Sequence, residues 1–188
     1  MRILFLGDVV GITGCLKIQN NLLDQIKKKK IDFVIVNAEN AAEEGVGLTK
    51  EICEDFFKSG VNVITTGNHV WDQKEIMSFI EKENRLLRPY NLFEPSPGKG
   101  FEIYKTSENI NIGVLNLMGN VFMKKCDDVF ETSKKFLKEH TLKEDYDLLI
   151  VDFHGEITSE KNAIGHYFDG KATLVVGTHT HIPTNDAR

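Results

Sequence analysis

Asp32-Phe33-Val34-Ile35-Val36-Asn37-Ala38-Glu39-Asn40 decides how this chain is read. Residues 32–36 are a short apolar run with the composition of a β-strand, and polar residues able to bind a metal follow at once. The same pairing recurs along the chain. Residues 2–6 run into Gly7-Asp8, and residues 61–65 into Thr66-Gly67-Asn68-His69. Residues 147–153 lead to His154, and 172–176 to Gly177-Thr178-His179-Thr180-His181. Helical patterns separate the early runs. Residues 15–29 space Leu16, Leu22, Leu23 and Ile26 for one helix face. Residues 49–58 form a second helix, with Thr49 as N-cap, Glu51 and Glu54 near its positive end, and Gly60 as its stop. Residues 73–82 are expected to form a third. This βαβαβα order predicts a largely parallel sheet flanked by helices.

The second half changes character. Residues 88–100 hold Pro89, Pro95 and Pro97 with Gly98 and Gly100, the composition of a loop. Residues 101–105 and 110–117 read as a hairpin turning at 106–109. A helix over 129–139, the strand 147–153, a short helix near 159–167 and the strand 172–176 complete a single domain, 1–188.

Composition narrows the function. The chain has 188 residues, 41% hydrophobic and 27% charged, which excludes wholesale disorder and fibrous repeats. A net charge of −5 and a pI near 5.7 argue against a broad grip on nucleic acid. A small anionic substrate fits, because a bound metal can dominate the local field. Cys15, Cys53 and Cys126 show no paired spacing, as expected of free thiols in a reducing cytoplasm. No apolar stretch is long enough for a membrane helix, and Met1 to Leu6 read as the first strand rather than a signal peptide. The run Lys27 to Lys30 suits a helix C-terminus.

In open α/β sheets, sites lie outside the carboxyl ends of the strands. Five strand ends here carry candidate ligands to one edge. Three imidazoles (His154, His179, His181), two carboxylates (Asp8, Glu39) and two amides (Asn40, Asn68) make a mixed N/O set. With no thiolate, the set favours iron, manganese or zinc over a structural Cys-type zinc. Seven ligands exceed one tetrahedral site and suit two ions sharing a carboxylate, the arrangement that clamps a phosphoryl group and activates water. Gly7, Gly67 and Gly177 are expected to let the backbone turn sharply before the ligands. His179 and His181, alternate residues of an extended segment, are expected to share a face. Singly, each residue has a blander role: Asp8 a helix N-cap, Glu39 and Asn40 turn residues, Asn68 and His69 a loop pair, His154 a core histidine. His140 and His166 are read as non-ligands.

Together, these motifs resemble the calcineurin-like metallophosphoesterase superfamily. The finer pattern is similar to the bacterial YmdB-like phosphodiesterases: Gly7-Asp8-Val9-Val10-Gly11, Val36-Asn37-Ala38-Glu39-Asn40-Ala41-Ala42, Thr66-Gly67-Asn68-His69-Val70-Trp71-Asp72, Leu87-Arg88-Pro89, Val151-Asp152-Phe153-His154 and Gly177-Thr178-His179-Thr180-His181. The resemblance implies an α/β metallophosphoesterase sandwich of mixed β-sheets flanked by helices. It implies one metal on Asp8, Glu39, Asn40 and His181 and a second on Glu39, Asn68, His154 and His179, with Glu39 bridging. His69 would be the general acid. Two divalent ions are implied, iron first and manganese or zinc as alternatives. The implied substrate is a small phosphodiester, a 2',3'- or 3',5'-cyclic nucleotide, cleaved by a metal-bridging hydroxide in a cytoplasmic enzyme that self-associates. Where the wider superfamily has Asp-x-His, this chain has Val10, and Asn40 supplies the missing ligand, as in the YmdB-like branch. YmdB-like chains continue beyond the position of Arg188, so a sandwich shortened at its C-terminus is expected.

Two other readings stay open. A phosphomonoesterase or protein phosphatase would use the same metal core, with its leaving group chosen by loops such as 88–100 and 119–128. A non-catalytic regulatory protein would hold metal structurally.

Overall fold

The computed structural model describes residues 1–187; Arg188 lies outside the described residues. The first four strands, β1 (Ile3–Leu6), β2 (Phe33–Asn37), β3 (Val63–Thr65) and β4 (Leu86–Leu87), pair in sequence order and all parallel. The second sheet runs β5 (Phe101–Lys105), β6 (Asn111–Met118), β7 (Leu148–Gly155) and β8 (Leu174–His179). β5 is antiparallel to β6, as the hairpin reading requires, and β6, β7 and β8 are parallel. The helices are α1 (Gly11–Lys29), α2 (Lys50–Lys58), α3 (Val129–Glu139) and α4 (Thr158–Tyr167). None of them is long and apolar enough to cross a membrane.

Strand periodicity assigns each residue to a layer. In β2, Val34 and Val36 pack with Cys15, Ile18, Leu22 and Phe56 from α1 and α2. Their alternates Phe33 and Ile35 meet Val63, Leu87, Ile112, Val114 and Ile150, joining the two sheets face to face. On the far side, Leu115, Leu117, Leu149 and Val151 pack on Phe136 of α3 and Ile164 of α4. Helices, sheet, sheet, helices is therefore the order of layers. Strands buried on both faces are apolar throughout, which is why runs such as 32–36 do not alternate.

Along the inward face the chemistry changes with height. Two residues past Ile35, Val63, Val114 and Ile150 stand Asn37, Thr65, Asn116 and Asp152, all fully buried. Asn37 Nδ2 and Thr65 Oγ1 donate to Asp152 Oδ2 at 2.9 and 2.6 Å, and Thr66 N donates to Asn116 Oδ1 at 3.1 Å. This polar layer stitches the sheets together below their carboxyl edge.

The structure departs from or adds to the sequence reading at four places. Residues 73–82 do not form a third α-helix; only a short 3₁₀ turn, Lys74–Ser78, is present. Ser78 Oγ donates back to Glu75 O at 2.7 Å, and the Glu75 carboxylate accepts Lys50 N at the start of α2, 2.7 Å away. Side chains thus compete with the helical ladder. Second, β4 has no counterpart in the sequence pattern; two buried leucines are too short a run to read as a strand, but parallel pairing to Ile64 and Thr65 holds them. Third, none of Gly7, Gly67 and Gly177 lies in the left-handed region. Gly67 is instead forced by close approach, since a Cβ there would strike the His154 ring and the Glu39 carboxylate. Fourth, β8 runs on to His179, whose φ of +91° ends the extended path, so His179 and His181 do not share a strand face.

Candidate metal centre

Each expected ligand stands at the carboxyl end of a strand: Asp8 after β1, Glu39 and Asn40 after β2, Asn68 and His69 after β3, His154 in β7, His179 closing β8 and His181 beyond it. The segment after β1 runs beside the segment after β2, with Val9 N on Asn37 O at 3.0 Å and Gly11 N on Asn40 O at 2.8 Å. Both sheets contribute, so the edge is that of the whole sandwich.

One group is tightly closed. Ligand atoms of Glu39, His154 and His179 lie within 4.8 Å of one another, the first two residues buried. His154 Nε2 is 2.9 Å from Glu39 Oε1, 3.0 Å from Asn68 Oδ1 and 3.2 Å from His179 Nδ1. The hydrogen bonds around the group fix the tautomers. Thr178 Oγ1 donates to Asp152 Oδ1 at 2.7 Å, so it accepts from His154 Nδ1 at 2.9 Å, and the other ring nitrogen presents a lone pair. His179 Nε2 faces Glu156 Oε2 at 2.9 Å, so its Nδ1 also presents a lone pair. With His154 neutral, a carboxylate oxygen, an amide oxygen and two imidazole nitrogens converge with no proton between them. That is the donor set of a divalent cation, with Thr178 and Asp152 behind His154 as the bonded shell that orients a metal-binding imidazole.

The other group is more open. Asp8 Oδ2 accepts His179 N at 2.9 Å and faces His181 Nε2 at 3.2 Å, with the His181 side chain 44% exposed. Asn40 Nδ2 donates to Gly45 O at 2.8 Å, which fixes the amide orientation and leaves Asn40 Oδ1 buried with no partner. An unpaired buried acceptor costs about 1–3 kcal/mol, a cost that a bound cation would offset. Glu39, His154 and His179 therefore fit a metal, and in the open group Asp8 and His181 are in contact while Asn40 Oδ1 is a further unpaired acceptor.

Charge interactions follow the geometry. Burial pushes the Glu39 carboxyl up, but the His154 contact and the His69 N–H outweigh it and hold Glu39 below the usual carboxylate range. Burial pushes His154 down, and Glu39 beside it wins, lifting it above the ordinary imidazole value. His179 is pushed down by burial and then by its neighbour His154. Burial lifts Asp152 to about 6 against the hydroxyl and amide donors around it.

His69 stands at the rim. Its backbone N donates to Glu39 Oε2 at 2.9 Å, and its Nδ1 lies 2.6 Å from Asp72 Oδ2. Asp72 Oδ1 in turn holds Lys124 Nζ at 3.0 Å. Burial works against the Asp72 charge, but His69 and Lys124 prevail and keep its carboxyl low. The ionised Asp72 accepts from His69 Nδ1, which fixes the ring and leaves Nε2 as the ring nitrogen outside that bond.

Sequence reasoning assigns no role to Asp72, Thr178 or Asp152, although all three lie within the quoted motifs. Asp72 follows His69 by three residues, one turn of chain, which is the signal available for it. His140 packs at a tilt against the rings of Phe101 and Phe136, with centroids 4.7 and 4.8 Å apart. A surface cleft lined by Phe33, Asn84, Arg85 and Tyr104 lies toward the opposite end of the strands and contains none of these residues.

The family model described as YmdB-like protein matches residues 4–188. The chain belongs to the YmdB-like family. A 2',3'-cyclic-nucleotide 2'-phosphodiesterase of Bacillus subtilis (strain 168) is 44% identical over 188 residues, which is 100% of this chain and 70% of the relative. Among solved structures, a hypothetical protein from Thermus thermophilus matches with a TM-score of 0.91 and 39% identity, over 100% of this chain and 71% of that one. A structure described as a novel phosphatase from Mycoplasma pneumoniae matches with a TM-score of 0.89 and 40% identity, over 99% of this chain and 66% of that one. YmdB-like membership and the sandwich of two sheets agree with the resemblance drawn from the motifs.

Proposed function

We propose that this YmdB-like chain is a metal-dependent phosphodiesterase acting on cyclic nucleotides, 2',3'-cyclic ones first and 3',5'-cyclic ones as a further class. The carrying observation is the convergence of Glu39, Asn68, His154 and His179 on one point. Asp8, Asn40 and His181 would hold a second ion, with Glu39 as the shared ligand. Iron suits this N/O set, with manganese or zinc as alternatives. The substrate class is supported by the Bacillus relative, whose name specifies it.

Two divalent cations bound there would neutralise the phosphate oxygens and bring the pKa of an attacking water toward ~7. The chain's own residues do the rest. Asp8, Glu39, Asn40, Asn68, His154, His179 and His181 hold and orient the ions. Glu39 also accepts the His69 backbone N–H, which ties the acid to the ligand shell. His69, as an imidazolium with its Nδ1–H held by Asp72, delivers the Nε2 proton to the leaving alkoxide, and Asp72 holds the ring in place for this. General acid assistance is typically worth about 10²–10⁴-fold.

The acting unit is taken as one domain in the cytoplasm. Self-association and the absence of stable nucleic-acid binding belong to the same reading. The M. pneumoniae structure described as a phosphatase keeps a monoesterase in contention. The test is hydrolysis of bis(p-nitrophenyl) phosphate beside p-nitrophenyl phosphate, by protein stripped of metal and refilled with Mn²⁺ or anaerobic Fe²⁺. Metal-dependent cleavage of the diester followed by that of 2',3'-cyclic AMP is expected. Preference for the monoester would overturn the reading in favour of a phosphatase.

A further inference from the structure

We propose that Phe122 is a nucleobase-stacking residue, presenting its ring to the base of a cyclic nucleotide whose phosphodiester lies at the metal centre; the inference rests on the cyclic-nucleotide reading above. Phe122 is 85% exposed, the highest among the large apolar side chains of the described residues. Its φ of +60° is a conformation that a bulky side chain rarely takes. Such an outlier persists where surrounding contacts over-determine it, and these cluster at ligand-binding segments.

The contacts are present at both ends. Gly119 N donates to the backbone O of the ligand His154 at 2.9 Å. Asn120 N and Val121 N donate to Glu160 Oε1 and Oε2 of α4 at 2.9 and 3.4 Å. A Cβ on Gly119 would meet that same carboxylate at 2.5 Å, so the two lie in close approach. Lys124 Nζ then reaches Asp72, the partner of His69. The segment therefore leaves the strand end beside His154 and lands on the general acid's partner, with Phe122 between the two anchors. Three residues of chain separate Phe122 from Gly119, so it stands within about 11 Å of that anchor. The nearby Lys125 suits an anionic ligand. Any flat base has a π-face, so one aromatic ring can serve several nucleotides.

The test compares Phe122→Ala and Phe122→Trp with the parent, as metal-loaded full chains, on 2',3'-cyclic AMP and 2',3'-cyclic CMP. Phe122→Ala is expected to raise KM for cyclic AMP about tenfold, and for the smaller pyrimidine by less, with kcat falling by less than KM rises. Phe122→Trp should keep the parent KM. A second readout needs no turnover: emission of Phe122→Trp, corrected for Trp71 with the parent protein, should be quenched by 3'-AMP but not by inorganic phosphate. An unchanged KM in Phe122→Ala, or one KM factor for both bases, overturns the proposal. So does a change in sedimentation alone, which would make Phe122 a contact between copies. If the parent cleaves bis(p-nitrophenyl) phosphate but no cyclic nucleotide, the proposed substrate class falls, while quenching by 3'-AMP would still support the stacking role. Absence of quenching would overturn that as well.

Discussion

His154 and His181 are both imidazoles at the carboxyl ends of the second sheet's strands, yet their surroundings differ completely. His154 is fully buried, and a chain of bonds through Thr178 to Asp152 fixes its tautomer before any ligand arrives. His181 lies beyond the end of its strand, 44% exposed, and touches Asp8 at 3.2 Å. The closed half of the candidate centre is thus an extension of the core, in which the polar layer between the sheets rises into the candidate ligands. The open half is assembled from segments that have already left the sheets. Pre-organisation follows from where the side chain enters, not from its chemical type.

The strongest challenge to this contrast is His154→Ala. It removes a candidate cation ligand and leaves Glu39 and the Thr178 hydroxyl short of a partner in a buried seam, a kind of loss worth about 3–5 kcal/mol. Metal at the closed half should disappear by elemental analysis, and Tm should fall by roughly 6–20 °C. Unchanged stoichiometry would remove His154 from the ligand set. His69→Ala is expected to keep its metal and lose about 10²–10⁴-fold in kcat, read by steady-state hydrolysis of a cyclic nucleotide. Loss of metal in that variant would move His69 from proton donor to structural support. Thr178→Val keeps the shape and deletes the hydroxyl behind His154; a metal titration should show about 10–100-fold weaker binding at the closed half. At the small end, His181→Ala should weaken one ion and move Tm by no more than about 2 °C, as expected of an exposed group. A Tm loss as large as that of His154→Ala would show that both halves are equally part of the core.

Much of this is legible in one dimension. Runs such as 32–36 and 147–153 are apolar because both faces are covered, and the polar residues behind them mark the strand ends. Thr49 caps α2 as its position suggests, its hydroxyl accepting Ile52 N at 3.3 Å. What stays hidden depends on contacts distant in sequence. The two residues of β4 are a strand only because β3 lies beside them. The 3₁₀ turn at Lys74–Ser78 reflects the use of Glu75 by α2. Gly67 has the sequence context of a turn glycine, and its reason is an imidazole that arrives from residue 154.

The α/β layering, the donor set and the edge on which the donors stand can all be read from the order of residues. Period and strand-end position are local properties, and local chemistry suffices for them. Folding alone selects which donors share a cation and which nitrogen of each histidine carries the proton. It also assigns Asp72 to His69 and Thr178 to His154. Those choices depend on distances of about 3 Å between atoms that can be more than a hundred residues apart, as between Asn37 and Asp152 at 2.9 Å. Hydrogen bonds and coordination weaken steeply beyond that range, so only the packed sandwich can select the pairs.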